Sequence, residues 1–119
     1  MRTMMPLPST DELAHMSVGD LVWMASAHPV LDEKEEAALT RALRDGESDA
    51  IERLALGTLR IAVDEAIRTR GLGLRQGDLV RLGVSALVGA MRTYDPTGTE
   101  RFSEHVRARI RRVLRESVS

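Results

Sequence analysis

Arginine is the residue type in this sequence with the clearest capacity for molecular recognition, because six of the last 19 residues are arginine. These are Arg101, Arg107, Arg109, Arg111, Arg112 and Arg115. A guanidinium pairs with phosphates and carboxylates, so such a cluster is typical of a surface that contacts nucleic acid or an acidic protein. The middle of the chain is acidic, and the net charge of the 119 residues is only −1. Solvated helix faces without a partner would give the same pattern, and the charges alone leave both interpretations open.

No pattern typical of catalysis accompanies the arginines. The chain has no cysteine, which excludes disulfides, thiolate metal sites and cysteine nucleophiles. Its three histidines lie far apart, and Ser85 and Ser103 have no histidine or lysine base in a recognisable motif. Glu35 and Glu36 are adjacent and so point in different directions from a helix, which makes them a poor acid–base pair. We therefore predict that the protein is not an enzyme and uses neither a metal nor another cofactor.

Helices are the elements predicted to position these arginines. Ser17 with Asp20, and Asp32 with Glu35, are capping patterns that begin two helices, and Gly46 should end the second of them. Because the chain has only one Trp, one Tyr and one Phe, the core must be mainly aliphatic. Those three aromatic side chains, Trp23, Tyr94 and Phe102, are expected to be packing residues.

Three longer helices complete the expected fold. We expect the third helix to start at Ser48 and to bury a stripe from Ile51 to Ile67. The fourth should run from about Gln76 to Thr93, and Ser103 should cap the fifth.

Short loops between these amphipathic helices predict an all-α fold, a compact antiparallel bundle of about four to five helices. We assign residues 1–16 to a flexible N-terminal arm and residues 17–119 to the bundle. The sequence shows no signal peptide and no segment long enough to span a bilayer, so we expect a cytoplasmic protein.

A run of motifs in the second half of the chain points to a family. Residues 78–91 read DLVRLGVSALVGAM, residues 92–98 read RTYDPTG, and Phe102-Ser103 precedes Ile110-Arg111. In the same order, these resemble D-L-I-Q-E-G-N-I-G-L, K-[FY]-D-P-x-x-G and F-S-T-Y-A-T-W-W-I-R in region two of the bacterial sigma-70 family of RNA polymerase sigma factors. Upstream, LDEKEE at 31–36, ALRDGESDA at 42–50 and LRIA at 59–62 are similar to further family motifs. The resemblance covers about residues 20–118, with part of region one-two at its start.

The resemblance implies a helical domain that binds the clamp coiled coil of RNA polymerase and holds the promoter minus-ten element as single-stranded DNA. Bases then unstack onto aromatic side chains, while arginines contact phosphates. Carried over to this sequence, the polymerase-binding or partner-binding residues are Asp78, Arg81, Leu82, Val84 and Val88. The nucleic-acid-binding residues are His105, Arg107, Arg109, Arg111, Arg112 and Arg115.

The sequence departs from the family on the helix expected to bind polymerase. Asp78 is kept, but the polar Gln, Glu and Asn of the family are replaced by Arg81, Leu82 and Val84. Val84 and Val88 lie away from the predicted core stripe, so we expect them to extend apolar surface outside the bundle and to contact a partner. The alternative is that the N-terminal arm covers them.

The last helix departs from the family at its aromatic positions. The family's Tyr and paired Trp, which melt promoter DNA, are replaced by His105, Ala108 and Arg109, and its Gln and Thr by Arg112 and Arg115. Stacking on an aromatic is worth roughly 1–3 kcal/mol per base, so we expect no autonomous promoter melting. The sequence stops where region two stops, and we expect no helix-turn-helix module of region four.

Two hypotheses of function follow. The first is a sigma-like transcription initiation or regulatory protein that binds RNA polymerase and promoter DNA. The second is a sigma mimic that acts only as a protein-interaction module and does not bind DNA. In that case the chain would bind itself as a homodimer, an anti-sigma protein or another regulator through Val80, Val84 and Val88.

Overall fold

Six α-helices make up the part of the chain that the computed structural model describes, which is residues 10–47, 49–69 and 75–118. In chain order they are α1 (Thr10–His15), α2 (Val18–Ala27), α3 (Glu33–Arg44), α4 (Ala50–Arg68), α5 (Gln76–Thr93) and α6 (Phe102–Val118). No strand occurs among these residues, and the prediction of an all-α fold is confirmed.

Helix α4 is the centre of the bundle, because α2, α3, α5 and α6 all pack against it. Its core residues Leu54, Leu59 and Ala62 are fully buried. Helix α5 crosses α4 at Gly83, where a β-carbon would lie 3.0 Å from the carbonyl oxygen of Ala62. A glycine at this position therefore allows the two helix backbones to approach closely. Helices α6 and α1 also pack against α5.

Side-chain caps fix the starts of α2 and α3 as the sequence predicts. The Ser17 hydroxyl accepts a hydrogen bond of 3.1 Å from the backbone N–H of Asp20. The Asp32 carboxylate accepts from the N–H of Glu35 at 2.8 Å, and the Glu35 carboxylate accepts from the N–H of Asp32 at 3.3 Å, which completes a capping box.

The predicted end of α3 is also confirmed. Gly46 has a φ of 92°, a left-handed conformation that favours glycine. The N–H of Gly46 donates to the carbonyl of Leu43 at 3.1 Å, and the N–H of Glu47 donates to that of Ala42 at 2.9 Å. These two bonds form a Schellman motif and satisfy carbonyls at the helix end.

Other helix boundaries and burial differ from the sequence predictions. Helix α4 begins at Ala50 after Asp49, and Ser48 lies outside the described residues. Ile67, predicted to be part of the buried stripe, has 43% of its surface exposed. Ser103 is not the cap of α6, because the helix already starts at Phe102.

A carboxylate from another helix replaces the predicted serine cap of α6. Glu36 of α3 is 3% exposed, and its Oε1 accepts a hydrogen bond of 2.6 Å from the backbone N–H of Ser103. Its Oε2 accepts from the Ser103 hydroxyl at 3.1 Å and from Arg101 Nη2 at 2.6 Å. The negative charge therefore lies at the N-terminus of α6, where the helix dipole stabilises it.

The segment predicted as an N-terminal arm contributes to the bundle in its second part. Residues Thr10–His15 form α1, which packs on α5, and Leu13 is 1% exposed within the hydrophobic core. Residues 1–9 lie outside the described residues. Among the helices of the described chain, none combines the length and the apolar character needed to cross a bilayer.

Replacing Glu36 with glutamine should lower the free energy of unfolding by about 1–3 kcal/mol, because a charge-assisted buried network loses its anion. Urea denaturation measures the change. Glu33→Gln is the matched control, since its side chain is 82% exposed and 3.9 Å from Arg101, and it should change stability by less than about 0.5 kcal/mol. Equal effects of the two substitutions would contradict the assigned role of Glu36.

Candidate nucleic-acid and protein-binding surface

A tight turn joins α5 to α6 and brings the two helices side by side. The N–H of Gly98 donates to the carbonyl of Asp95 at 3.1 Å. The Asp95 carboxylate accepts hydrogen bonds from the hydroxyl and the N–H of Thr97 at 2.6 and 2.9 Å, and these bonds lower the pKa of that carboxyl. Arg44 of α3 donates twice to the carbonyl of Pro96, at 2.8 and 3.1 Å. Hydrogen bonds within the turn, and others from Arg44 of α3, therefore fix its conformation.

Aromatic packing anchors the two ends of this connection. The rings of Tyr94 and Phe102 meet edge to face with centroids 5.0 Å apart, and Phe102 is fully buried. The Tyr94 hydroxyl donates to the carbonyl of Glu100 at 3.0 Å, and partial burial raises the pKa of Tyr94. Both aromatics are packing residues, as the sequence predicts, and neither presents a free ring to a base.

Helix α5 exposes one polar stripe to solvent. Asp78, Arg81, Ser85 and Arg92 are exposed and are spaced so that they share one face of the helix. Leu82 is half-buried and packs against the core. Of the five residues predicted to bind polymerase or another partner, the two charged ones, Asp78 and Arg81, are therefore the ones exposed to solvent.

The two valines of the same prediction are buried, which corrects the expectation that they extend apolar surface outside the bundle. Val84 is 1% exposed and Val88 is 6% exposed. Val80, which the protein-module hypothesis used as well, is 2% exposed. Helix α1 packs on α5, and its Leu13 joins Val80 and Val84 in the core. The alternative interpretation, in which the N-terminal segment covers this face, agrees with the position of Leu13 beside Val80 and Val84.

Helix α6 turns a largely basic face outward. Glu104, Ala108, Arg111, Arg112 and Arg115 are exposed and recur at helical spacing. The opposite face is the core stripe of Phe102, Val106, Ile110 and Leu114, each at most 1% exposed. This separation of faces gives the helix a basic surface of about three turns.

Arg111 forms an ion pair within the bundle, although it belongs to this outward face. Its Nε donates to Glu65 Oε1 of α4 at 2.7 Å. The Glu65 side chain is only 10% exposed, whereas that of Arg111 is 54% exposed. Since a buried carboxylate needs a partner, Arg111 neutralises Glu65 and has less charge to offer an external anion.

Arg107 lies on the side of α6 that faces α3 and α4. It is half-buried and sits one turn after Ser103, which contacts Glu36, and one turn before Arg111, which contacts Glu65. The prediction grouped Arg107 with Arg109 and Arg112, but the structure places it on a different side of the helix. The contact of Ser103 with Glu36 and that of Arg111 with Glu65 show that this side of α6 packs against α3 and α4.

His105 is also held by the protein. Its Nε2 lies 3.0 Å from both the carbonyl oxygen of Ala90 and the hydroxyl of Thr93, and its Nδ1 lies 2.9 Å from a carboxylate oxygen of Glu100. The ring therefore bridges the end of α5 to the start of α6. A base could stack on it only if these contacts broke.

Arg109 lies at the seam between α5 and α6, which is the line along which these two helices pack. The guanidinium of Arg109 passes over Gly89 of α5, where a β-carbon would lie 3.6 Å from its Nη2. Its Nε is buried and has no hydrogen-bond partner among the described residues. Arg112 follows one turn later and is exposed. The seam therefore holds one guanidinium group, that of Arg109, against the backbone of α5 at Gly89.

An apolar surface that the sequence analysis missed lies on the other side of α4. Trp23 is 68% exposed, which contradicts its prediction as a packing residue, and Val22 and Ile67 are 38% and 43% exposed. The signal was present in the composition of α2, whose ten residues include a single charged one, Asp20. A surface helix that lacks a polar face is expected to need a second covering surface.

Known sigma factors are similar to most of this chain. The RNA polymerase sigma-G factor of Clostridium acetobutylicum is 30% identical over 95 residues, which cover 76% of this chain and 37% of that protein. The RNA polymerase sigma factor SigA of a Bacillus species is 29% identical over 91 residues, which cover 76% of this chain and 24% of that protein. No protein-family model matches the chain.

These similarities confirm the resemblance to sigma factors that the sequence motifs indicate. The chain spans between a quarter and two fifths of the length of the two relatives. The similarity therefore concerns a domain-sized part of each sigma factor.

Replacing Arg111 with glutamine should lower the free energy of unfolding by about 1 kcal/mol, because buried Glu65 loses its charged partner while Arg111 itself is half exposed. Arg112→Gln is the matched control and should change stability by less than about 0.5 kcal/mol. Thermal and urea unfolding of both variants give the comparison. A neutral Arg111→Gln variant would show that the ion pair does not stabilise the bundle.

Proposed function

We propose that this chain is a sigma-like transcription protein that binds RNA polymerase through the exposed stripe of α5. The observation that carries the proposal is similarity over 76% of the chain to two proteins that are named as RNA polymerase sigma factors. Asp78 and Arg81 are the charged residues of α5 that a polymerase surface would meet. Their neighbour Leu82 adds a partly exposed apolar contact between them and α6.

Nucleic acid is the proposed second ligand, and it would contact the α6 side of the seam. Arg109, Arg112 and Arg115 provide the available positive charge, and no described carboxylate forms an ion pair with Arg112 or Arg115. Arg111 is held by Glu65, so we assign it a structural role. Arg107 is half-buried on the side of α6 that packs against α3 and α4, so we do not assign it to the nucleic-acid surface. Guanidinium contacts to phosphates carry no sequence information, so the proposed binding is not sequence-specific.

Autonomous promoter melting is not part of this function. Ala108 is exposed but has no ring on which a base could stack. His105 has a ring, but its two nitrogens are engaged with Ala90, Thr93 and Glu100. The sigma-like role therefore consists of docking and phosphate contact.

The alternative function, a protein-interaction module without DNA binding, loses the surface on which it was first based. Its proposed contacts were Val80, Val84 and Val88, and all three are buried. A different apolar surface, around Trp23, supports a protein contact at another place on the bundle.

Polymerase binding is tested with purified core RNA polymerase and the full chain. Arg81→Glu should weaken the complex at least about ten-fold, because reversing a charge at an interface removes an attraction and adds a repulsion. Arg53→Glu, another exposed arginine but on α4, is the matched control and should leave the affinity within about two-fold. Biolayer interferometry measures both. Failure of the unmodified chain to bind core polymerase would refute this part of the proposal.

Nucleic-acid binding is tested by fluorescence anisotropy with a labelled oligonucleotide at several salt concentrations. The affinity should fall as salt rises, and Arg112→Gln and Arg115→Gln should each reduce the slope of log K against log salt by about one. Arg53→Gln is the control and should leave the slope unchanged. Two oligonucleotides of scrambled sequence should bind equally well. No binding at low salt would remove nucleic acid from the proposal.

A further inference from the structure

An apolar patch on α2 and α4 has no described element covering it. We define this Trp23 patch as Val22 and Trp23 of α2, Ile67 of α4 and the groove beside them. The groove has a volume of about 230 Å³ and lies between the two helices. Its lining residues are Val22, Ala25, Ser26, Arg60, Val63, Asp64 and Ile67. Trp23 does not line the groove, but it follows Val22, which does, so a bulky exposed ring and a cleft of mixed apolar and polar lining occur on neighbouring residues of α2.

We propose that a second copy of this chain covers the Trp23 patch, so that the protein is a twofold-symmetric dimer. In a twofold interface the same patch occurs on both subunits, and each must offer what the other needs. The Trp23 ring of each copy would enter the groove of the other. A projecting ring and a cleft on one surface satisfy this self-complementarity.

The charges at the rim of the groove are self-complementary as well. Arg60 Nε and Asp64 Oδ2 lie 3.7 Å apart in an exposed pair along α4. The patch therefore contains one positive and one negative group on one helix. When two copies of α4 run antiparallel across a twofold axis that passes midway between these two residues, Arg60 of each copy faces Asp64 of the other. An unrelated acidic or basic partner would meet one of these charges unfavourably.

The area of the patch is sufficient for a reversible dimer. The exposed parts of Val22, Trp23 and Ile67 amount to roughly 300–350 Å² of apolar surface. Because interfaces are roughly 60% apolar, this corresponds to about 1,100 Å² buried by both copies together. That value passes the threshold of about 1,000 Å² for a specific interface and lies at its lower end. An interface at this lower end of the range is typical of weak, reversible complexes, so dissociation is sought at concentrations on the order of micromolar.

The Trp23 patch is separate from the α5–α6 seam. Ile67 and Glu65 are two residues apart on α4 and so point to nearly opposite sides of that helix. Glu65 contacts Arg111 of α6, whereas Ile67 lines the groove. A dimer formed through the patch therefore leaves the seam open in both copies. Formation of this dimer does not require binding to polymerase or DNA.

Tryptophan fluorescence gives the first test, because Trp23 is the only tryptophan of the chain. At concentrations of about 100 µM the emission should be shifted to shorter wavelength, and dilution to below about 1 µM should shift it toward the emission of a solvated indole. Analytical ultracentrifugation of the same samples should show the mass changing from dimer to monomer. A monomer at every concentration overturns the proposal, and if its emission is blue-shifted throughout, another part of the same chain covers Trp23.

Trp23→Ala should raise the dimer dissociation constant at least about ten-fold, because a tryptophan at the centre of an interface is a typical hot spot. Val30→Ala is the matched control, since Val30 is 44% exposed but belongs neither to the groove nor to α2 or α4, and it should leave the constant within about two-fold. Equal dissociation constants for Trp23→Ala and the unmodified chain would overturn the assignment of this patch.

A charge exchange gives the most specific test. Arg60→Asp and Asp64→Arg should each impair self-association, because each variant then presents like charges across the twofold axis. Mixing the two variants should restore a dimer that contains one copy of each, since both contacts across the axis become attractive. Circular dichroism of each variant verifies its helical fold. Variants that fold but form no mixed dimer would overturn the twofold arrangement.

Discussion

The close approach of α4 and α5 is the constraint on which the rest of the bundle depends. Their backbones come together where Gly83 meets the carbonyl of Ala62, and a β-carbon at Gly83 would already be in tight contact. The other helices pack around this pair, with α2 and α3 on α4, α1 on α5, and α6 on both. Because α5 and α6 are joined by a short turn, the distance between α4 and α5 also sets the position of the basic helix.

Arginine serves two different purposes in this bundle, and burial decides between them. Arg101 and Arg111 form ion pairs with carboxylates on α3 and α4 that are at least nine-tenths buried, so the charges of these two arginines are neutralised within the fold. Arg112 and Arg115 meet no such group and remain on the surface. A cluster that the sequence presents as one feature is therefore divided by two buried glutamates, Glu36 and Glu65.

Much of the fold could be predicted from the sequence because its signals are local. The capping residues Ser17, Asp32 and Glu35 and the stop at Gly46 depend only on neighbouring backbone groups, and all of them behave as predicted. Helix α5 has the predicted bounds for the same reason. The resemblance to sigma factors rested on motif order, and the similarity to two such proteins confirms it.

The predictions that failed concern which side of a helix is covered, and that depends on distant residues. Val84 and Val88 lie off the main core stripe of α5, but α1 packs on α5 and they are buried. Trp23 and Ile67 lie on predicted packing stripes, but no described helix covers them. Ser103 has the residue type of a cap, yet Glu36 from a helix 67 positions earlier takes that role. No local pattern encodes these three outcomes.

The attachment of α3 has a consequence for how the molecule opens. The one fully buried residue of α3 is Glu36, while Leu39 and Leu43 pack against the core only in part. Polar attachment buries little apolar surface, so separation of α3 would change the heat capacity little. Such a helix can leave and return as an independent cooperative unit, with amide exchange faster than in α4 and without global unfolding. Each departure would also release Arg101, and for that interval α6 would gain one more unpaired positive charge at its N-terminal end.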